Sequence, residues 1–103
     1  MLAFNVVAEG PVDGVMRLVV SGDLDLMTVP LLMGAARGAV GQHPNASLRL
    51  DLREVGFIDS TGINGLVDLQ TFESERGRRL EVAETSTYVE RVLRLVGLND
   101  TFV

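Results

Sequence analysis

The chain has no cysteine, no tryptophan and no lysine. Without cysteine there is no thiol nucleophile, no thiolate zinc site and no disulfide, which fits a reducing compartment and leads to the expectation of a cytoplasmic protein. Without lysine, a phosphate-binding loop ending in Gly-Lys-Ser/Thr is impossible, as is Schiff-base chemistry. All nine basic residues are arginines, set against 14 acidic residues, and the net charge is −5. That balance argues against nucleic acid, whose phosphates select basic surfaces. No apolar run approaches the about 20 residues of a membrane span, and "MLAFNVVAEG" lacks the basic start of a signal peptide, so no membrane partner is expected.

What is present suffices for one small domain covering residues 1–103. The hydrophobic fraction of 47% is enough for a core. A chain of this length buries about 65% of its unfolded surface and needs no metal or other cofactor to hold it.

The valine-rich segments "LAFNVVAE" and "VMRLVVSG", separated by "GPVDG", read as a β-hairpin. In "DLDLMTVPLLMGAARGAVGQ", Thr28 is placed to cap a helix that tolerates Pro30 in its first turn, with Val29, Leu32, Met33, Ala36 and Val40 as its apolar stripe. Gly34 and Gly38 lie on one helix face, and close helix packing is the expected reason for them. "LRLDL" reads as a strand leading into a short bend at "VGF". A second helix, "TGINGLVDLQTFESER", ends at Gly77 with Arg76, Arg78 and Arg79 near its negative pole. "RLEVAE" is the next strand. Thr87 and Glu90 form a T-x-x-E capping box for a third helix, striped by Val89, Val92, Leu93 and Val96 and carrying a Glu90–Arg94 pair on its wet face. Phe102 is expected to dock the tail. The order β-β-α-β-α-β-α predicts an α/β fold, a small mixed sheet with parallel crossovers and helices packed mainly on one face.

The chemistry centres on "VGFIDSTGINGL". As a nucleophile elbow, Ile58-Asp59-Ser60-Thr61-Gly62 lacks the first glycine, and nothing in the sequence places the single histidine, His43, beside Ser60 as a base. Asp23 and Asp25 resemble the Asp-x-Asp of haloacid-dehalogenase-like phosphatases. Met27 stands where those enzymes want Thr or Val, so the two aspartates read as loop and cap residues rather than metal ligands. A cap accounts for one of Asp59, Ser60 and Thr61, but these occupy consecutive positions where one cap suffices. A spare hydroxyl there faces free backbone N–H groups, where an added phosphate is well tolerated.

Three segments resemble one family. "FIDSTGINGL" is similar to the F-[IM]-D-[ST]-[ST]-G-L-G signature of STAS domains, specifically of bacterial anti-sigma factor antagonists. "VSGDLDLMTVPLL" is similar to its G-[ED]-L-D-x-x-[TS]-[AV] segment through Gly22, Asp23, Leu24, Asp25 and Thr28. "STYVERVLRLVGL" is similar to its closing helix through Ser86, Val89, Arg91, Val92, Leu93, Gly97 and Leu98. The resemblance implies a single STAS domain that is not itself an enzyme. Its implied partner is an anti-sigma factor of the histidine-kinase-like ATPase fold, which doubles as a serine kinase; a separate phosphatase reverses the modification. By position the implied phosphoacceptor is Ser60, and Asp23, Asp25, Thr28, Asp59, Thr61, Gly62, Ile63 and Asn64 are the implied partner-binding residues. Asn64 stands where the signature has its second glycine, and Ile63 replaces its leucine. The alternative is a STAS scaffold, or a subunit of a lipid-transport ABC system, without regulated phosphorylation.

Overall fold

In the computed structural model, which describes residues 3–98, strands β1 (Asn5–Val12) and β2 (Val15–Leu24) form the expected antiparallel hairpin. Helix α1 (Val29–Gln42) crosses to β3 (Ser47–Ile58), which lies parallel to β2, and α2 (Ser60–Glu75) crosses to β4 (Glu81–Thr85), parallel to β3. Helix α3 (Thr87–Leu95) follows. The mixed sheet has the order β1-β2-β3-β4, so each strand pairs with its neighbour in sequence.

Alternation divides the two sheet faces. Met16, Leu18 and Val20 of β2 and Leu48, Leu50 and Leu52 of β3 are buried, and they join Leu32, Ala36, Leu66, Leu69, Val89 and Leu93 from the helices in one core. The opposite face carries Arg17 and Arg49 side by side. These like charges are tolerated because Arg17 pairs with the buried Asp51, and Arg49 with Glu81 at 2.8 Å. Arg53 engages both Asp51 (2.7 Å) and Glu84 (2.6 Å).

β3 is longer than the sequence indicates. Its core-facing residues change spacing from two (Leu48, Leu50, Leu52) to three (Leu52, Val55, Ile58). Two register shifts against β2 absorb the extra residues, so both residues between successive core positions face outward. The bend expected at "VGF" is the second of these irregularities, inside the strand.

The helix ends bring further corrections. α2 closes as foreseen at Gly77, whose φ of 72° lets its N–H reach Ser74 O (2.9 Å) while Arg78 N–H reaches Glu73 O (2.9 Å). Gly34 and Gly38 are exposed, and a Cβ at either would meet nothing within 4 Å, so they serve no close packing. Close approach occurs instead at Gly62 and Gly65. The cap of α3 is Ser86 rather than Thr87: Ser86 Oγ accepts from Val89 N–H (3.2 Å) and donates to Val55 O (2.7 Å). The α3 stripe ends at Leu93, since Val96 is half exposed. Glu90 and Arg94 pair as expected. Phe102 lies outside the described residues.

Candidate functional site

Ile58 is the last core-facing residue of β3, and the chain leaves the sheet at Asp59 in an extended conformation. Asp59 Oδ1 accepts from Gly62 N–H at 2.9 Å, and its carbonyl accepts from Ile63 N–H at 2.9 Å, which starts α2. The capping position is therefore filled by Asp59. Ser60 is the first helical residue; it is exposed, and its hydroxyl has no hydrogen-bond partner among the described residues. Thr61 and Ile63 are half-buried, and Asn64 is exposed.

Gly62 fixes where this helix start sits. A Cβ there would lie 2.2 Å from Leu24 O, so the first turn of α2 rests directly on backbone at the end of β2. One turn on, a Cβ at Gly65 would meet the Val29 side chain at 2.8 Å, tying α2 to the start of α1. Asp59 N–H also donates to Leu24 O, at 3.4 Å.

The segment between β2 and α1 is held by its own polar side chains. Asp25 Oδ1 accepts from Met27 N–H (3.0 Å) and Thr28 N–H (3.2 Å). Thr28 Oγ accepts from Asp25 N–H (2.9 Å) and donates to Asp23 O (2.7 Å). Thr28 occupies the N-cap position as expected, but its side chain bonds back into the loop instead of to a helix N–H. The loop is thereby cross-linked to itself, and it presents Leu26 and Met27 to solvent, 69% and 78% exposed.

The structure brings the segments Asp23–Thr28 and Asp59–Asn64 together where the parallel strands β2 and β3 end. His43 lies beyond α1, before β3 begins, so the length of β3 separates it from Ser60 and no Ser–His pair forms. Among the described residues no group of three or more His, Asp or Glu side chains is arranged to hold a metal ion. No helix among them is long and apolar enough to cross a membrane.

Neither Phe57, which heads "FIDSTGINGL", nor Tyr88 is given a role by the sequence. Their rings stack at this same end, with centroids 5.9 Å apart and planes 22° apart. The irregular spacing of β3 turns Phe57 outward, and that spacing is visible in "LRLDLREVGFI" as a change from every second to every third apolar residue.

A family model described as "Mlab, STAS domain" matches residues 8–103. A search of curated proteins found no match. Among solved structures, an anti-sigma factor antagonist from Mycobacterium paratuberculosis is similar at 29% identity and a TM-score of 0.79, covering 97% of this chain and 83% of that one. The anti-sigma factor antagonist SpoIIAA in its unphosphorylated form is similar at 19% identity and a TM-score of 0.76, over 98% of this chain and 86% of that one. The Bacillus cell fate determinant SpoIIAA in its phosphorylated form is similar at 18% identity and a TM-score of 0.69, over 98% of this chain and 89% of that one.

Proposed function

Because this chain belongs to the STAS-domain family, we propose that it is an anti-sigma factor antagonist, a binding protein without catalysis of its own. Its unmodified form binds an anti-sigma factor of the histidine-kinase-like ATPase fold and so releases a sigma factor. The same partner phosphorylates Ser60 with ATP, and a phosphatase restores the hydroxyl. The observation that carries this reading is the division of labour at the start of α2. Asp59 caps the helix, which leaves Ser60 exposed and unengaged on the first turn. The similarity to the mycobacterial antagonist supports it.

The switch follows from charge. A phosphate adds about −1.5 to −2 at neutral pH and three acceptor oxygens. Asp23, Asp25 and Asp59 stand at the same end of the sheet, and none of them has an ion-pair partner among the described residues. A phosphate desolvated in that company is repelled, and about 1.4 kcal/mol of lost interface energy is already tenfold in affinity. Asp23, Asp25, Thr28, Thr61, Gly62, Ile63 and Asn64 complete the surface in this reading.

The test uses the purified anti-sigma factor and ATP. Label is expected on Ser60, with Ser60→Ala unlabelled but still bound, and with Ser60→Asp or the phosphoprotein weakened at least tenfold. Equal affinity of the phosphorylated and free forms would sink the switch. The family resemblance also leaves a second reading, in which the same surface docks permanently as a STAS scaffold or on an ABC-transporter subunit of the lipid-transport type. Co-purification with such a subunit, with Ser60 unmodified, would select it.

A further inference from the structure

β1 stands at one end of the sheet, and among the described residues it pairs on one side only, with β2. Its regular stretch, Asn5 to Glu9, runs against Ser21 to Arg17 and stops at the irregularity between Glu9 and Val12. Alternation sends Val6 and Ala8 to the core face, beside Val20 and Leu18, and Asn5, Val7 and Glu9 to the opposite face, beside Ser21, Val19 and Arg17. Val6 is only half-buried and Val7 is 45% exposed, so apolar side chains flank the open edge on both faces. Such an edge offers its backbone N–H and C=O groups to a further strand.

We infer that β1 is a self-association edge, which pairs antiparallel with β1 of a second copy about a two-fold axis through Val7. In that register Val7 faces its own equivalent, Val6 faces Ala8 and Asn5 faces Glu9, so no like charges stand opposite each other. Centring the pair on Glu9 would instead set two carboxylates together. Pairing β1 with the other sheet edge, β4, would bring Glu9 toward Glu81 and Glu84 and would repeat head to tail without closing. The two-fold seam closes after two copies, and it extends the outer-face pair Val19 and Val7 into an apolar strip continued by the second copy. Five paired residues a side fall short of the about 20–30 of a standard interface, so the association is weak and concentration-dependent. Ser60 lies beyond the end of β3, and antiparallel pairing points the two Ser60 ends in opposite directions, leaving both open.

Because the chain has no cysteine, introduced single cysteines report the register directly. Directly opposed residues of antiparallel strands have Cα atoms about 4.5–5.5 Å apart, within disulfide range. Under mild oxidation, Val7→Cys is therefore expected to cross-link to itself several-fold faster than Asn5→Cys or Val12→Cys, which the register holds away from their own equivalents. A mixture of Asn5→Cys with Glu9→Cys should give the mixed pair in preference to either self-pair. Sedimentation of the unaltered protein should show a dimer that grows with concentration. Val7→Lys, which sets two ammonium groups at the axis, should return it to monomer with its circular dichroism unchanged. Equal cross-linking rates for the single cysteines would overturn the inference. So would a protein that stays monomeric at millimolar concentration, its β1 edge free or taken only by a strand of a different protein. Ser60 takes no part in the seam, so failure here leaves the phosphorylation switch standing, and failure of the switch leaves the seam standing.

Discussion

Gly62 and Gly34 show how one residue type serves opposite ends at the residue scale. An alanine methyl at Gly62 meets the Leu24 carbonyl at 2.2 Å, a contact with backbone that cannot swing aside. Gly62→Ala should therefore cost about 3 kcal/mol, the upper end for overpacking a tight interior, read as a lower urea midpoint. Gly34 faces open space in the middle of α1, where glycine is a poor helix former. Gly34→Ala should stabilise by about 0.8–1 kcal/mol in the same measurement. Asp51 makes a third residue-scale case. It is 2% exposed, and the hydrogen bonds from Arg53, joined by Arg17, hold its carboxyl well below the usual carboxylate range against the opposing effect of burial. A carboxyl depressed in the folded state stabilises fully above its unfolded value of about 3.9 and loses that contribution as pH falls further. The stability gap between the wild type and Asp51→Asn should thus be widest near neutrality and narrow as pH drops below about 4. A gap constant from pH 7 to pH 2 would contradict this assignment.

At the scale of elements, the C-terminal end of α2 is anchored by a charge that few helices bury. Glu73 is fully buried and accepts from Leu48 N–H at 3.1 Å. Arg76 pairs with it and also donates to Pro44 O (3.0 Å) and Ala46 O (2.9 Å), which binds the helix end to the loop before β3. Removing one partner strands the other charge, so Arg76→Ala should destabilise by about 3–5 kcal/mol in urea unfolding, far more than an exposed pair such as Glu90–Arg94. The element order was legible because valine runs, helical stripes and glycine stops are local signals. Glu73 was not, because only the fold shows that this acidic residue turns inward toward Leu48. Two capping residues in a row defeated the reading at Ser86 and Thr87, where either side chain serves locally. The second bond of Ser86, to Val55 O on a different strand, settles which one is used. The candidate site was readable as two segments, Asp23–Thr28 and Asp59–Asn64. Their meeting at Gly62 and Leu24 O depends on the parallel pairing of β2 and β3 and has no local signal; the change of apolar spacing that turns Phe57 outward is local, but its stacking on Tyr88 depends on where α3 begins.

Across the whole molecule, charge is sorted by position. Arg17, Arg49, Arg53, Arg76 and Arg94 are spent in ion pairs along the sheet and helices, whereas Asp23, Asp25 and Asp59, which have no ion-pair partner among the described residues, collect at the end that bears Ser60. With a net charge of −5, that end should draw a basic partner surface, and the association rate should fall as salt is added. Under the proposed switch, phosphorylation would act on binding and on folding through different terms. In the free protein a phosphate on Ser60 faces solvent at the positive pole of α2, which is favourable by about 0.3–1 kcal/mol, and repulsion from Asp59 offsets part of that. In the proposed complex the same phosphate would lose its water beside carboxylates that have no ion-pair partner among the described residues. Stability should consequently move by less than about 1 kcal/mol on phosphorylation while affinity falls by more than about 1.4 kcal/mol, the tenfold threshold. Parallel urea curves for the two forms, with equal slopes, together with the binding measurement, test this. A shallower slope or a stability loss of several kcal/mol in the phosphoprotein would mean that the switch works by loosening the fold around Gly62 rather than by charge at a surface that keeps its shape.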